Sequence, residues 1–392
     1  MTLATAAFEL AFAGLKAEDG LKLREAGSMR HFKAQDRSRF GKLLSIRDLD
    51  AFLATGSAQV PRVAMADSGR NGSAAVPEED FTFGDGKVDP SKLFPLFDAG
   101  ATLVVSQFHE LHPPLADFCR GLEKVFQHGV QANIYLTPPG AQGFRTHFDT
   151  HDVLVLQVSG KKQWRVWSDT AQPHATRRTP WDGAIYKPDQ SKANDLLLEA
   201  GDVLYVPRGV LHDASVQPGG EPSLHITVGF LDQTWADALK AAIDQLEQTE
   251  PKLREAFPMW RLGDEASRPA LVKAAAERAA IIGSQSGVDL AAMHFLQALA
   301  QDRMPMSGRT LVAPALGADD RLVLADAVHH YVVPVGDGAE LRWSGAPVPL
   351  TMVELGWLEK LSQGVSPTAL GGGEAALAFC RRLFAVGLLV RI

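Results

Sequence analysis

Three residues in this chain have types and spacing that suit a metal ion: His147 and Asp149 in THFDTH, and His212 in GDVLYVPRGVLHDA. On an extended strand alternate side chains share a face. His147 and Asp149 can therefore grip one ion while Phe148 turns away. A His from a distant strand completes two imidazoles and one carboxylate. That set is the facial triad of non-haem Fe(II) oxygenases, which leaves metal positions open for a co-substrate and for oxygen. An H-x-D pair alone is a weak signal, and His151 and His225 remain open as substitutes for the third ligand. The flanking residues carry the rest of the argument.

A cation lies where such chemistry needs one. After Asp149 comes the apolar run DVLVLQV, then Gly160, then Lys161, Lys162, Gln163 and Trp164. A Val-rich run bounded by a Gly turn reads as a buried strand entering a hairpin. Two lysines at a hairpin tip are ordinarily solvated. As neighbours on one strand, however, Lys161 and Lys162 point to opposite faces, so one can point inward. A buried ammonium needs an anionic partner, and a dicarboxylate chelating the metal through its other end would supply it. In LHITVGF, Leu224, Ile226, Val228 and Phe230 share one face, and His225, Thr227 and Gly229 the other. In NIYL, Asn133 and Tyr135 share a face. One wet face is ordinary for an antiparallel sheet. Several polar faces around a metal-binding strand pair instead predict a barrel with a polar interior able to hold a ligand.

The run NIYLTPPGAQGFRTHFDTHDVLVLQVSGKKQWRVW, followed by GDVLYVPRGVLHDA and SLHITVGF, resembles the JmjC/cupin-type ribosomal oxygenases, with the densest match over roughly 130–230. The resemblance implies an Fe(II)- and 2-oxoglutarate-dependent protein hydroxylase. His147, Asp149 and His212 would be the iron ligands. Lys162 takes the place of the basic residue that pairs with the distal carboxylate of 2-oxoglutarate. Asn133, Tyr135 and Thr227 match other co-substrate positions. Two departures stand out. Arg145-Thr146 precedes the H-x-D pair where the family usually has small residues or proline, and Gly229 stands where some relatives carry Ser. Arg145 is expected either at the site entrance, as a positive charge, or paired on the surface with a carboxylate such as Asp152.

Composition bounds these readings. At 392 residues, with 46% hydrophobic and 22% charged residues, the chain has the make-up of a globular protein with two or three domains. Cys119 and Cys380 are the only cysteines, so no disulfide framework is expected and a reducing cytoplasm fits. The N-terminal segment lacks a basic n-region and reads as a helix rather than a signal peptide. No apolar run predicts a membrane span. The formal net charge of −7 argues against broad nucleic-acid binding and suits a basic polypeptide partner.

The expected fold is α+β: a double-stranded β-helix (jelly-roll/cupin) core, then a helical dimerisation region, then a C-terminal winged-helix-like domain. Residues 1–92 form an N-terminal helical and loop segment packing on the core, and 93–233 the catalytic barrel. PPLADFCRGLEKVF at 113–126 reads as a helix leading into the strands. From Trp235 the apolar period becomes helical, and 234–304 is expected to pair two subunits as a homodimer, the arrangement that the resemblance implies. In 305–392, RLVLA and HHYVVPV read as strands, and MVELGWLEKLSQ and GEAALAFCRRLFAVGLLVRI as helices. Arg381, Arg382 and Arg391 supply its one local basic cluster, and DNA binding is not expected. The reading is a cytoplasmic oxygenase acting on a polypeptide side chain, most simply in a ribosomal protein. The alternatives are an oxygenase acting on a small natural product or peptide precursor, a cupin-fold metal enzyme that does not use 2-oxoglutarate, and a non-enzymatic protein with a degenerate barrel.

Overall fold

The alternating positions of 129–231 become strands in the structure, a computed structural model that describes residues 2–392 other than 13, 71–73, 171, 181–185 and 302–309. The chain divides into two units, Met1–Asp232 and Gln233–Ile392. The first contains, in chain order, α1 (Leu3–Ala11), α2 (Ala17–Ala26), β1 (Arg30–Phe32), α3 (Ile46–Ala54), β2 (Val63–Ala66), α4 (Pro90–Asp98), β3 (Thr102–Val105) and α5 (Pro113–Phe126). The strands β4 (Gly129–Thr137), β5 (Asp152–Ser159), β6 (Lys161–Thr170), β7 (Ala193–Glu199), β8 (Val203–Val206), β9 (Val210–Ser215) and β10 (Ser223–Leu231) follow.

These strands form two antiparallel sheets, one ordered β1-β8-β5-β10-β4-β3-β2 and the other β7-β6-β9. The hairpin from β5 to β6 turns at Gly160, whose φ of 65° is the left-handed region. A Cβ there would meet the Pro222 carbonyl oxygen at 2.3 Å, so glycine is required. The two faces of β10 separate as patterned. Leu224, Ile226, Val228 and Phe230 join the main apolar core, while His225 and Thr227 line a cavity.

That core is closed by the N-terminal helices. Phe8 of α1 and Phe12 just after it pack with Phe126 of α5, which meets Phe230 of β10 edge-on at 5.0 Å. In α5 the buried Leu115, Phe118, Leu122 and Phe126 form the apolar stripe, and Pro113 starts the helix at a position where its missing N–H costs nothing. Residues 1–92 therefore share one core with the barrel, and a border after residue 92 falls inside α4. Helix α4 was not legible as one: Asp89 caps it and Pro90 starts it, in a stretch otherwise rich in turn residues.

The second unit begins with α6 (Trp235–Leu246), α7 (Arg268–Ile282) and α8 (Gln285–Gln301). Thr234 and Asp237 cap α6 reciprocally, Thr234 N donating to Asp237 at 3.0 Å and Asp237 N to the Thr234 hydroxyl at 3.2 Å. Then come β11 (Leu322–Leu324), β12 (Tyr331–Val335), β13 (Gly338–Arg342), β14 (Val348–Leu350), α9 (Met352–Leu361), α10 (Pro367–Leu370), α11 (Glu374–Ala385) and β15 (Leu389–Arg391). β12-β13-β14 is a meander, and β11 pairs with β15. The terminal helix stops at Ala385, Gly387 turns with φ 82°, and the chain ends on the short strand Leu389–Arg391, paired with Leu322–Leu324.

Candidate functional site

His147 and His212 face each other across a two-residue antiparallel bridge. His147 N donates to His212 O at 3.0 Å and His212 N to His147 O at 2.8 Å. Gly209 N donates to Asp149 O at 2.9 Å, so the whole 147–149 segment is laid along the start of β9. The result is a cluster of His147, Asp149 and His212 whose ligand atoms all lie within 4.8 Å of one another. Nε2 of His147 is 4.0 Å from Asp149 Oδ1, and Nε2 of His212 is 3.7 Å from Oδ2. Bonds to a divalent ion of about 2.0–2.2 Å from each donor reach a common point at these separations.

The imidazoles are held by their other nitrogens. His147 Nδ1 lies 2.8 Å from the Arg145 carbonyl, and His212 Nδ1 3.0 Å from the Val210 carbonyl. A carbonyl only accepts, so each Nδ1 carries the proton and each Nε2 lone pair is left for a metal. Burial, then the neighbouring His147, lower the His212 pKa to about 4, which keeps it in the neutral form that coordinates. Burial alone would raise the Asp149 pKa, but His212 and His147 outweigh it and hold the carboxyl below its ordinary value. Two neutral imidazoles and one carboxylate suit Fe(II).

The cluster opens on a cavity of about 270 Å³, close to the lower end of the roughly 300–1,000 Å³ usual for small-molecule sites. Lys162, Trp164, Tyr135, Thr227, His225 and Thr102 help to line it. The two hairpin lysines separate: Lys161 pairs with Glu199 at 2.6 Å on the surface, while Lys162 is only 4% exposed. Lys162 Nζ donates to the Thr137 hydroxyl at 2.9 Å, and Thr102 donates to the same oxygen at 3.1 Å. Burial lowers the Lys162 pKa to about 7. A cation so buried and held by one neutral hydroxyl is suited to receive an anion. His225 stacks on Tyr135 at 4.9 Å and 4° and meets Trp164 edge-on at 5.8 Å. Burial, with Lys162 nearby, keeps it well below the usual imidazole pKa.

Several readings of individual residues change. Asn133 does not line the cavity; its side-chain oxygen accepts from Gln107 N at 2.9 Å and stabilises that residue's left-handed turn. Arg145 neither faces the cavity nor pairs with Asp152. Its guanidinium donates to the Ser68 and Arg70 carbonyls, and Asp152 is taken by Tyr205, Arg24 and Arg208 N. At Gly229 a Cβ would come within 2.4 Å of His151 Cδ2, so Ser cannot stand there without moving that ring. Thr137 and Trp164 belong to the site but were missed as site residues, and His225, open above as a substitute third ligand, lines the cavity beside Tyr135 and Trp164. Strand alternation was the available signal, since Thr137 follows Tyr135, Trp164 follows Lys162 and His225 precedes Thr227 by two positions each.

A family profile described as JmjC domain matches residues 106–238, the span holding the triad and Lys162. The bifunctional lysine-specific demethylase and histidyl-hydroxylase NO66 of Dictyostelium discoideum is 36% identical over 190 residues, covering 44% of this chain and 35% of that protein. Ribosomal oxygenase 1 of Gallus gallus is 33% identical over 187 residues, covering 45% and 30%. Residues 106–238 thus match the JmjC domain, and the chain is similar over that region to these ribosomal oxygenases. It spans about a third of the length of these curated relatives. The solved structure of Escherichia coli ycfD shares the fold, with a TM-score of 0.55 at 18% identity, covering 96% of this chain and 98% of that one. A further structure of that ribosomal oxygenase, in complex with cobalt and 2-oxoglutarate, matches with a TM-score of 0.53 at 17% identity.

Proposed function

We propose that this chain is an Fe(II)- and 2-oxoglutarate-dependent oxygenase that hydroxylates a side chain of a polypeptide, in a ribosomal protein. The observation that carries the reading is the joint placement of the His147–Asp149–His212 cluster and the buried Lys162 on one cavity. When bound, iron and 2-oxoglutarate would supply the oxidising chemistry with O2 as the oxidant: one oxygen atom goes to the keto acid, which loses CO2 to become succinate, and the other enters a substrate C–H bond. The chain's own residues do the positioning. His147, Asp149 and His212 hold the metal on one side and leave the cavity side open. Lys162 receives the far carboxylate, with Tyr135 and Thr227 beside it. The buried apolar walls Val153, Val155 and Trp164 limit water in the cavity. A substrate side chain then needs only to be held with one C–H at the open side.

The small-molecule alternative drew on Arg145 as a cation at the entrance that would repel a basic target. Arg145 keeps its charge while donating to the Ser68 and Arg70 carbonyls, but it does not line the cavity, which weakens that motive. The formal net charge of −7 favours a basic partner, the character of ribosomal proteins.

For the second unit the proposal is pairing of two copies through 234–304, with 305–392 as a winged-helix-like domain that does not read DNA. No side chain of α7 is buried, and Phe257 and Trp260 are 61% and 75% exposed. Apolar surface of this kind supports an interface. The basic cluster is already engaged: Arg382 pairs with Glu354, Arg391 with Asp320, and Arg381 donates to Leu316 O. No helix among the described residues is long and apolar enough to cross a membrane, and a cytoplasmic site of action fits a ribosomal target.

The deciding experiment incubates iron-loaded protein and 2-oxoglutarate with purified ribosomal proteins from the same cells. Peptide mass spectrometry is expected to find one added oxygen on a single residue. Absence of any oxidised ribosomal peptide, together with strong stimulation of succinate release by a small molecule, would move the assignment to the alternative substrate class.

A further inference from the structure

Beside the His147–Asp149–His212 cluster lies a row of charged and polar side chains that the mechanism above does not use, and one of them, Asp213, also borders the cavity. In the sheet β7-β6-β9, Arg165 is the cross-strand partner of Asp195 on one side and of Asp213 on the other. Arg165 Nε donates to Asp213 Oδ1 at 2.8 Å and Nη2 to Oδ2 at 2.7 Å, a two-pronged pair. The Thr146 hydroxyl donates to the same Oδ2 at 2.6 Å. Thr146 immediately precedes one proposed metal ligand, and Asp213 immediately follows another. One carboxylate, itself 4% exposed, therefore ties the backbone entering His147 to the backbone leaving His212.

We infer that Asp213, braced by Arg165, is a positioning residue that sets the His147–His212 separation before a metal arrives. The inference rests on the proposed metal site. Backbone bonds already join residues 147 and 212 and hold Asp149 O to Gly209 N, which ties the main chain from His147 onward. The Thr146–Asp213 bond adds a side-chain attachment on the residue that enters His147. Arg165 fixes the carboxylate in turn: its Nη1 also reaches Gln190 Oε1 at 3.3 Å, and its guanidinium lies over the Trp167 ring at 5.6 Å. A carboxylate held at three points cannot swing away from Thr146 without leaving a buried charge unpaired. Ligands held in place bind a metal without first being ordered, so loosening this row lowers metal affinity although no metal ligand changes.

The test is Co(II) binding to the full-length protein, read from the visible absorption of the metal and without turnover. Thr146→Val removes one hydrogen bond at nearly constant volume, Thr146→Ser keeps it, and Asp213→Asn removes the charge. Outer partners of metal ligands are typically worth about 10–100-fold in metal affinity. Thr146→Val and Asp213→Asn are each expected to raise the Co(II) Kd within that range and to alter the absorption band, while Thr146→Ser restores both. Arg120→Leu breaks a buried pair with Glu123 on α5, away from the site, and controls for lost stability. It is expected to lower Tm with the Co(II) Kd unchanged. A wild-type Kd and band in folded Thr146→Val and Asp213→Asn would overturn the positioning role while leaving the metal site standing. Failure of the wild-type protein itself to take up Co(II) would overturn the metal site and this inference together.

Discussion

His147 and His212 exchange two backbone hydrogen bonds, and their ring centroids lie 4.6 Å apart. These backbone bonds and the Thr146–Asp213 contact do not involve the rings, so removing either ring leaves the other and Asp149 in place. His147→Ala, Asp149→Ala and His212→Ala are accordingly expected to stay folded and to lose metal-dependent succinate release, with Fe(II) affinity falling steeply. Calorimetric metal titration beside circular dichroism checks both halves. Full activity in His212→Ala would return the third-ligand assignment to His151 or His225.

Lys162 is the one cation buried against the cavity among the described residues. Lys162→Ala is expected to weaken 2-oxoglutarate binding and leave Fe(II) affinity within a few-fold. Removing one partner of a buried charge pair costs about 3–5 kcal/mol, which corresponds to a Kd increase of roughly two to four powers of ten. Unchanged co-substrate affinity would show that the distal carboxylate is held elsewhere, although the surface pairing of Lys161 with Glu199 makes that neighbour a poor substitute.

The same lysine gives binding a pH signature. With its pKa lowered to about 7 in the empty site, Lys162 is mostly neutral at pH 8 and mostly charged at pH 6. A bound dicarboxylate favours the ammonium, so binding at pH 8 takes up close to one proton and binding at pH 6 almost none. Titrations at pH 8 in buffers of different ionisation heat measure the difference. Stability follows the opposite course. A lysine with a lowered folded pKa binds fewer protons folded than unfolded between about 7 and its ordinary value of 10.5. Its burial penalty is therefore full below pH 7 and is relieved as pH rises through that window. Lys162→Met should stabilise the apoprotein most at pH 6, and an equal effect at pH 6 and pH 10 would contradict the burial.

Gly229 lies against His151, and the space it leaves is the ring's own. Gly229→Ser is expected to destabilise the first unit by about 1–3 kcal/mol, the range for overpacking a closed site, without improving 2-oxoglutarate affinity. Urea denaturation and co-substrate titration are the readouts. A gain in affinity would place the Ser hydroxyl in the pocket after all.

Light scattering is expected to give twice the chain mass of 42.3 kDa. Phe257→Asp with Trp260→Asp, both on the exposed apolar surface of the second unit, should shift the mass to that of one chain. A wild-type protein that is monomeric across a dilution series would remove the pairing of two copies from the proposal.

Much of the candidate site was legible in sequence because strand alternation is a local rule. The i, i+2 spacing put His147 with Asp149 and His225 with Thr227, and the Gly160 turn separated Lys161 from Lys162. Tertiary structure decided what local rules cannot reach. Asn133 and Tyr135 share a strand face, yet the left-handed turn at Gln107, brought alongside β4, takes the Asn133 side chain for its own N–H. Arg145 stands two residues from a proposed ligand, but two loop carbonyls more than seventy residues earlier claim its guanidinium. Thr137 matters only because the fold lays β4 within reach of Lys162 Nζ, and Asp213 because β9 meets both β6 and the 145–149 segment. A side chain's direction follows from its own strand. Its partner is set by whichever distant backbone or charge folding delivers, because a buried polar group must be satisfied by what lies nearest in space.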